Sequence, residues 1–184
     1  YAGLARHLLT GTDVKIVTVV GFPLGADRSE VKALATKLAV DEDHVDEVEA
    51  EGLNDIAKAE ETDVKLVVQT EPITEDDTEQ TAIKGITDAP NNFNFYDITL
   101  EKSTGGYVTD ASSVIEIKLP YDFSRKTNIK VYRYHNDSPE ELEQLEARAT
   151  APYADGKCFI DAANNCIYVY SAKFSTYAVA YDPV

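Results

Sequence analysis

The chain of 184 residues has no tryptophan, no methionine and two cysteines. Two thiols are too few for a disulfide framework, so the fold has to rest on a packed core. No run approaches the roughly 18 apolar residues that a membrane span needs. The opening segment, Tyr1 to Leu9, lacks a basic leader followed by an apolar stretch, so no targeting address and no membrane insertion are expected. Positive charge is also scarce: acidic residues outnumber basic ones 33 to 17, for a net charge of -16. Such a surface repels phosphate backbones and anionic lipid, which removes ordinary nucleic-acid binding from the expected functions.

Motifs of catalysis and metal binding are equally sparse. His7, His44 and His135 are scattered, with no HisGluXaaXaaHis pattern and no His/Cys ligand spacing, so no metal and no cofactor are expected. Hydroxyl residues are many, but no GlyXaaSerXaaGly elbow accompanies them. Lys102 to Gly106 lacks the Walker spacing and reads as a hairpin turn. The acid clusters Asp41–Asp43 and Glu75–Asp77 do not fit the twelve-residue calcium loop, and solvated helix termini account for both.

What is present is hydrophobic periodicity of two kinds. Residues 1–10 read as a helix tail, and Val14 to Val20 as a strand buried on both faces. Asp27, with Glu30 as its capping-box partner, opens a helix through Val31 to Val40. An acidic helical segment is expected within Val45 to Glu60, a buried strand at Val64 to Val68, and a helix start at Thr74 with Asp77. From Asn91 the period becomes two. Asn94 to Glu101 places Tyr96, Ile98 and Leu100 on one face, and Val114 to Pro120 alternates Ile115, Ile117 and Leu119 against Glu116 and Lys118. Further strands are expected at Ile129 to His135, Lys157 to Asp161, Cys166 to Ser171 and Thr176 to Tyr181. In the last, Tyr177 and Val179 share one face and Ala178 and Ala180 the other. Short strands at this spacing indicate a sandwich or small barrel.

Two local points bear on chemistry. Joining Lys157–Asp161 to Cys166–Ser171 through Ala162 to Asn165 opposes Asp161 to Cys166 and Cys158 to Val169. That puts the two sulfurs on opposite sheet faces, as free thiols. Ser138 to Glu143 carries helix-start signals, an N-cap Ser and a Pro at the first helical position, and competes with a hairpin return after Val131 to His135.

Two resemblances follow from particular residues. ThrValValGlyPheProLeuGly, Thr18 to Gly25, with GluValLys at 30 to 32, resembles the second strand and loop of the deoxyribose-phosphate aldolases, over about Tyr1 to Val40. The family's usual Cys before the Thr is Val17 here, and the nearest match to its proton-moving acid is Glu49. Its Schiff-base lysine lies on later barrel strands that have no counterpart in the sequence. A (β/α)₈ barrel needs roughly 200 residues or more, so a fragment supplies one strand and its covering helix. From Thr62 onward, Phe95–Lys102, Ile115–Ser124, Lys130–His135, Cys166–Tyr170 and Lys173–Val179 resemble, in order, a β-rich module of Gram-positive, Firmicutes cell-surface proteins. That resemblance implies an extracellular or cell-wall location and no catalytic residue.

The expected architecture is therefore α+β: a small α/β N-terminal layer over residues 1–87, including the aldolase-like 1–40, then an antiparallel β-sandwich over 91–184. The expected function is non-catalytic, a structural or adhesive module whose partners are other domains of the same surface protein, a glycan or a host protein. A carbohydrate-binding alternative uses a groove of Tyr132, Tyr134, Tyr168 and Tyr170, since tyrosine rings stack on sugars and present hydroxyls. A truncated, inactive sugar-phosphate binder is the other alternative. Some surface sandwiches cross-link a first-strand Lys to a last-strand Asn or Asp with a buried acid assisting, and Lys102, Asp182 and Glu116 would take these parts here; family analogy alone suggests this.

Overall fold

A computed structural model describes residues 45, 47–88 and 92–184. The helix tail, strand and helix expected before residue 44, the acid cluster Asp41–Asp43, His7, His44 and the aldolase-like segment lie outside the described residues.

In chain order the elements are β1 (Glu49–Glu51), α1 (Leu53–Ala59), β2 (Val64–Glu71), α2 (Thr78–Ile86), β3 (Asn92–Lys102), β4 (Tyr107–Val108), β5 (Asp110–Pro120), β6 (Lys126–His135), β7 (Ser138–Glu141), β8 (Glu143–Gln144), β9 (Lys157–Asp161), a 3₁₀ turn (Ala162–Asn164), β10 (Cys166–Lys173) and β11 (Thr176–Pro183). They form two sheets. One runs β2-β3-β11-β6-β7, with β4 on the end of β3, and the other runs β1-β5-β10-β9-β8. Every pairing is antiparallel except the short β8–β9 contact. The fold is thus α+β and dominated by a sandwich.

Strand parity sorts the side chains into three layers. Tyr96, Ile98, Leu100, Val131, Tyr177 and Val179 from the first sheet meet Ile115, Ile117, Leu119, Ile167 and Val169 from the second in the central core. Each fully buried branched aliphatic there contributes roughly 1.5–3 kcal/mol relative to exposure. On the outside of the first sheet, Phe93, Phe95, Tyr132, Tyr134, Ala178 and Ala180 pack with Ile83 of α2. On the outside of the second, Cys166, Tyr168 and Tyr170 pack with Phe159, Tyr153 and Leu145. The expected faces of β3, β5 and β11 are all realised. Phe123 packs against the core beside Tyr121, edge to face at 5.0 Å between ring centroids.

Several expectations change in contact with tertiary structure. The boundary expected between residues 87 and 91 falls inside the sandwich, because β2 pairs with β3 from Val64↔Lys102 to Glu71↔Phe95. β2 is an edge strand with Val68 as its one buried residue, so the apolar run Val64 to Val68 does not mark burial on both faces. The expected helix within 45–60 shortens to α1, because Glu49–Glu51 adds as an edge strand to β5. Gly52 separates the two at φ 103°, where a Cβ would stand 3.1 Å from Ile115 Cγ2. Asp77 is itself the N-cap of α2: its Oδ1 accepts from the Glu79 and Gln80 amides at 2.8 and 2.9 Å, which starts the helix later than Thr74.

Ser138 to Glu141 forms the hairpin, not the helix. Asn136 and Asp137, at φ 49° and 61°, make a two-residue turn with both central residues left-handed, which matches strand twist. Pro139 then sits on edge strand β7, where its missing N–H is tolerated.

Candidate functional site

The outer face of the second sheet gathers the most chemistry. Register aligns Glu51 (β1), Glu116 (β5), Tyr170 (β10) and Lys157 (β9) in one row, and Glu49, Lys118, Tyr168 and Phe159 in the next. All point away from the central core because they share the parity opposite to Ile117, Ile167 and Val169. Across them runs the irregular strap of residues 145–156, between β8 and β9. Arg148 of the strap places its Nε 3.0 Å from Glu116 Oε2 and its Nη2 2.5 Å from Oε1. Its guanidinium carbon stands 4.3 Å from the centre of the Tyr168 ring. Tyr153 donates to Glu51 Oε2 at 3.0 Å and lies against Tyr170, with ring centroids 5.2 Å apart. The Tyr170 hydroxyl accepts from the Ala149 amide at 2.9 Å.

The electrostatics follow from burial. Glu116 retains 2% side-chain exposure, and a carboxylate there is tolerated because a bidentate cation covers it. Hydrogen bonding to Glu116 is the first cause that holds the Arg148 guanidinium above its ordinary range. Burial pushes the Tyr170 phenol up to about 12, so it remains a neutral hydrogen-bonding group.

At the open end of this face lies a cleft of about 880 Å³ bordered by Glu49, Lys118, Tyr121, Asp122, Asn164 and Asn165. The Lys118 Nζ is 3.0 Å from Glu49 Oε1, and the Asp122 carboxylate accepts from the Ser124 amide at 2.9 Å. Hydrogen bonds from Ser124 hold Asp122 below the usual carboxylate range.

The four tyrosines of the expected groove do not meet. Tyr132 and Tyr134 lie under α2 on the outside of the first sheet, and Tyr168 and Tyr170 lie under the strap on the outside of the second. All four are buried, because alternating aromatics on a sheet's outer face attract a covering segment. The cross-linking geometry is absent too. Lys102 pairs with Glu60 at 2.6 Å, Glu116 with Arg148, and Asp182 accepts from Asn128 at 3.0 Å. Lys102 ends β3, whereas Tyr181, next to Asp182, pairs with Asn92 at its start. Among the described residues no group of three or more His, Cys, Asp or Glu side chains is arranged to hold a metal. None of the described helices is long and apolar enough to cross a membrane.

Arg148 and Tyr153 escaped the sequence reading because their segment shows neither helical nor strand periodicity. Arg133, in a strand pattern, gave no sign of its burial. It is fully enclosed, with Asp155 at 2.8 and 2.9 Å, Glu140 at 2.7 and 3.0 Å and the Ser171 hydroxyl at 2.6 Å. Burial would raise the Asp155 carboxyl, but the hydrogen bonds from Arg133 and the Ala172 amide prevail and hold it at about 2.

Comparison with known proteins gives short matches to one enzyme family. The chain is 54% identical to the deoxyribose-phosphate aldolase of Geobacillus sp. (strain WCH70) over 41 residues, 22% of this chain and 18% of the enzyme. It is 47% identical to that of Streptococcus pneumoniae serotype 19F (strain G54) over 70 residues, 35% of this chain and 31% of the enzyme. A short part of the chain resembles a fragment of deoxyribose-phosphate aldolase. The chain spans less than a third of these aldolases' length. No family model matches the chain, and no solved structure does.

Proposed function

We propose that the chain is a non-catalytic structural or adhesive module of a bacterial extracellular or cell-wall protein, joined to other domains of that protein. The observation that carries the reading is how the sandwich uses its polar interior. Buried Arg133 and Glu116 are each consumed in an ion pair, and His135 is hydrogen-bonded to Asp110 at 2.8 Å. Both outer faces are covered by segments of the same chain. Groups paired in this way hold the sheets and their covering segments in fixed positions, as a scaffold requires. The test is fractionation of producing cells with an antibody against the chain, together with binding of the purified chain to cell-wall polymers and matrix proteins. Recovery in the wall or medium fraction with saturable binding is expected; confinement to the cytosol sinks the reading.

The cleft favours carbohydrate binding as a second reading. Amides, a carboxylate and an ammonium beside a tyrosine ring make a set that can hydrogen-bond sugar hydroxyls. A glycan array reads this directly, and Asp122→Ala with Asn164→Ala should weaken any hit about tenfold or more. The short aldolase matches favour a sugar-phosphate binder without activity as a third reading. Borohydride trapping with an aldehyde substrate is then expected to label no lysine; a labelled lysine would restore catalysis.

A further inference from the structure

Arg148 is held the way a ligand is held. Its receptor is built on three strands of a sheet: the Glu116 carboxylate of β5 beneath it, the Glu51 carboxylate of β1 at 3.8 Å, and the Tyr168 ring of β10 against its flat face at 4.3 Å. A carboxylate that takes both prongs of the fork, plus an aromatic plane, selects guanidinium over ammonium. The guanidinium itself arrives on an irregular strap, and its side chain stays 46% exposed on the outer side. The strap is tied at its ends by Leu145 N–H to the Cys158 carbonyl at 2.8 Å and Gly156 N–H to the Tyr170 carbonyl at 3.1 Å. Between these ends Arg148, Ala149 and Tyr153 fasten it through side chains of the sheet below, and Asp155, beside its second end, is anchored by buried Arg133 at 2.8 and 2.9 Å.

We propose that this face is a binding site for an arginine side chain of a basic partner protein segment, kept shut by Arg148 as an internal competitor. Glu116 cannot be left unpaired at its depth without a large penalty, so only a group that replaces the fork can displace the Arg148 side chain from it. The net charge of -16 draws basic segments toward the molecule from a distance. A tethered competitor acts at an effective concentration in the millimolar range, so an incoming arginine succeeds when neighbouring contacts add to its own. The inference is independent of the cellular location proposed above.

The test uses the full chain with Arg148→Ala, titrated with methylguanidinium and with short peptides carrying one arginine or one lysine, followed by amide NMR shifts around Ala149 and Tyr168 and by melting temperature. The expected result is saturable binding of methylguanidinium and the arginine peptide to Arg148→Ala, at least tenfold tighter than to the unmodified chain and than the lysine peptide. Binding should be lost when Glu116→Gln is added. Equal behaviour of the two chains, or no saturable response in Arg148→Ala, overturns the proposal. If Arg148→Ala does not fold, Arg148→Lys keeps a cation over Glu116 without the fork, and the same titration decides, with the same two outcomes.

Discussion

At Glu71 the chain places a carboxylate where burial and neighbouring acids disfavour its charge. The residue ends β2, on the α2-covered side of the first sheet, and its Oε2 is buried with no hydrogen-bond partner among the described residues. Burial first, then the charges of Asp97, Asp77 and Glu79, push it from 4.5 up to about 7. Asp97 is raised as well, by burial and then by Glu79. A carboxyl whose folded pKa exceeds its unfolded one binds more protons in the folded state between the two values. Stability contributed by Glu71 is therefore full below about pH 4.5 and declines as pH rises to about 7. At 1.36 kcal/mol per unit the ceiling is about 3 kcal/mol, reduced by the residue's partial exposure. Urea unfolding at pH 5 and pH 7.5 should show the unmodified chain about 1–3 kcal/mol less stable at the higher pH. Glu71→Gln, permanently neutral, should lose most of that difference. An unchanged pH slope in Glu71→Gln would place the effect elsewhere. Asp155, held at about 2, acts only in strong acid and does not confuse this window.

At the scale of elements, pairing register decides the fate of the thiols. Cys166 opposes Asp161 and Cys158 opposes Val169, so Cys158 enters the central core while Cys166 joins the outer cluster with Tyr168 and Tyr170. Both are free and buried, and burial pushes the Cys158 thiol up to about 12. A thiol reagent should find no fast-reacting group in the folded chain and two after denaturation, with no change in melting temperature on adding reductant. One fast thiol in the native chain would contradict the packing at the β9–β10 end. This geometry was legible in the sequence because a period of two, once the connecting turn is chosen, fixes every face. The same rule made β3, β5 and β11 readable. It failed at β1 and at the expected domain boundary, where pairing joins segments distant in sequence. It could not find the candidate site, since Arg148 reaches Glu116 from a strap without periodicity. Alternation suggested one groove of four tyrosines and could not say that they lie on two separate outer faces, covered by α2 and by the strap.

On the whole molecule, charge imbalance sets a background that no single pair removes. Thirty-three acids against 17 bases leave -16, and several ion pairs, Lys118–Glu49 and Lys130–Glu141 among them, sit at the surface. Exposed pairs of this kind contribute about 0–1 kcal/mol each, and salt weakens them. Repulsion among excess carboxylates is long-ranged, and it fades as the Debye length falls from about 30 Å at 0.01 M to about 8 Å at 0.15 M. Pairs with one fully buried member, such as Arg133–Asp155 and Arg148–Glu116, are screened less. Repulsion should therefore win: raising NaCl from about 0.01 M to about 0.15 M at neutral pH should raise the melting temperature by a few degrees, most of the gain coming by the upper concentration. A melting temperature that falls with salt would mean that exposed ion pairs outweigh net repulsion. The electrostatic attraction for basic segments invoked at the Arg148 site would then have to be sought in the local row of Glu49, Glu51 and Glu116 alone.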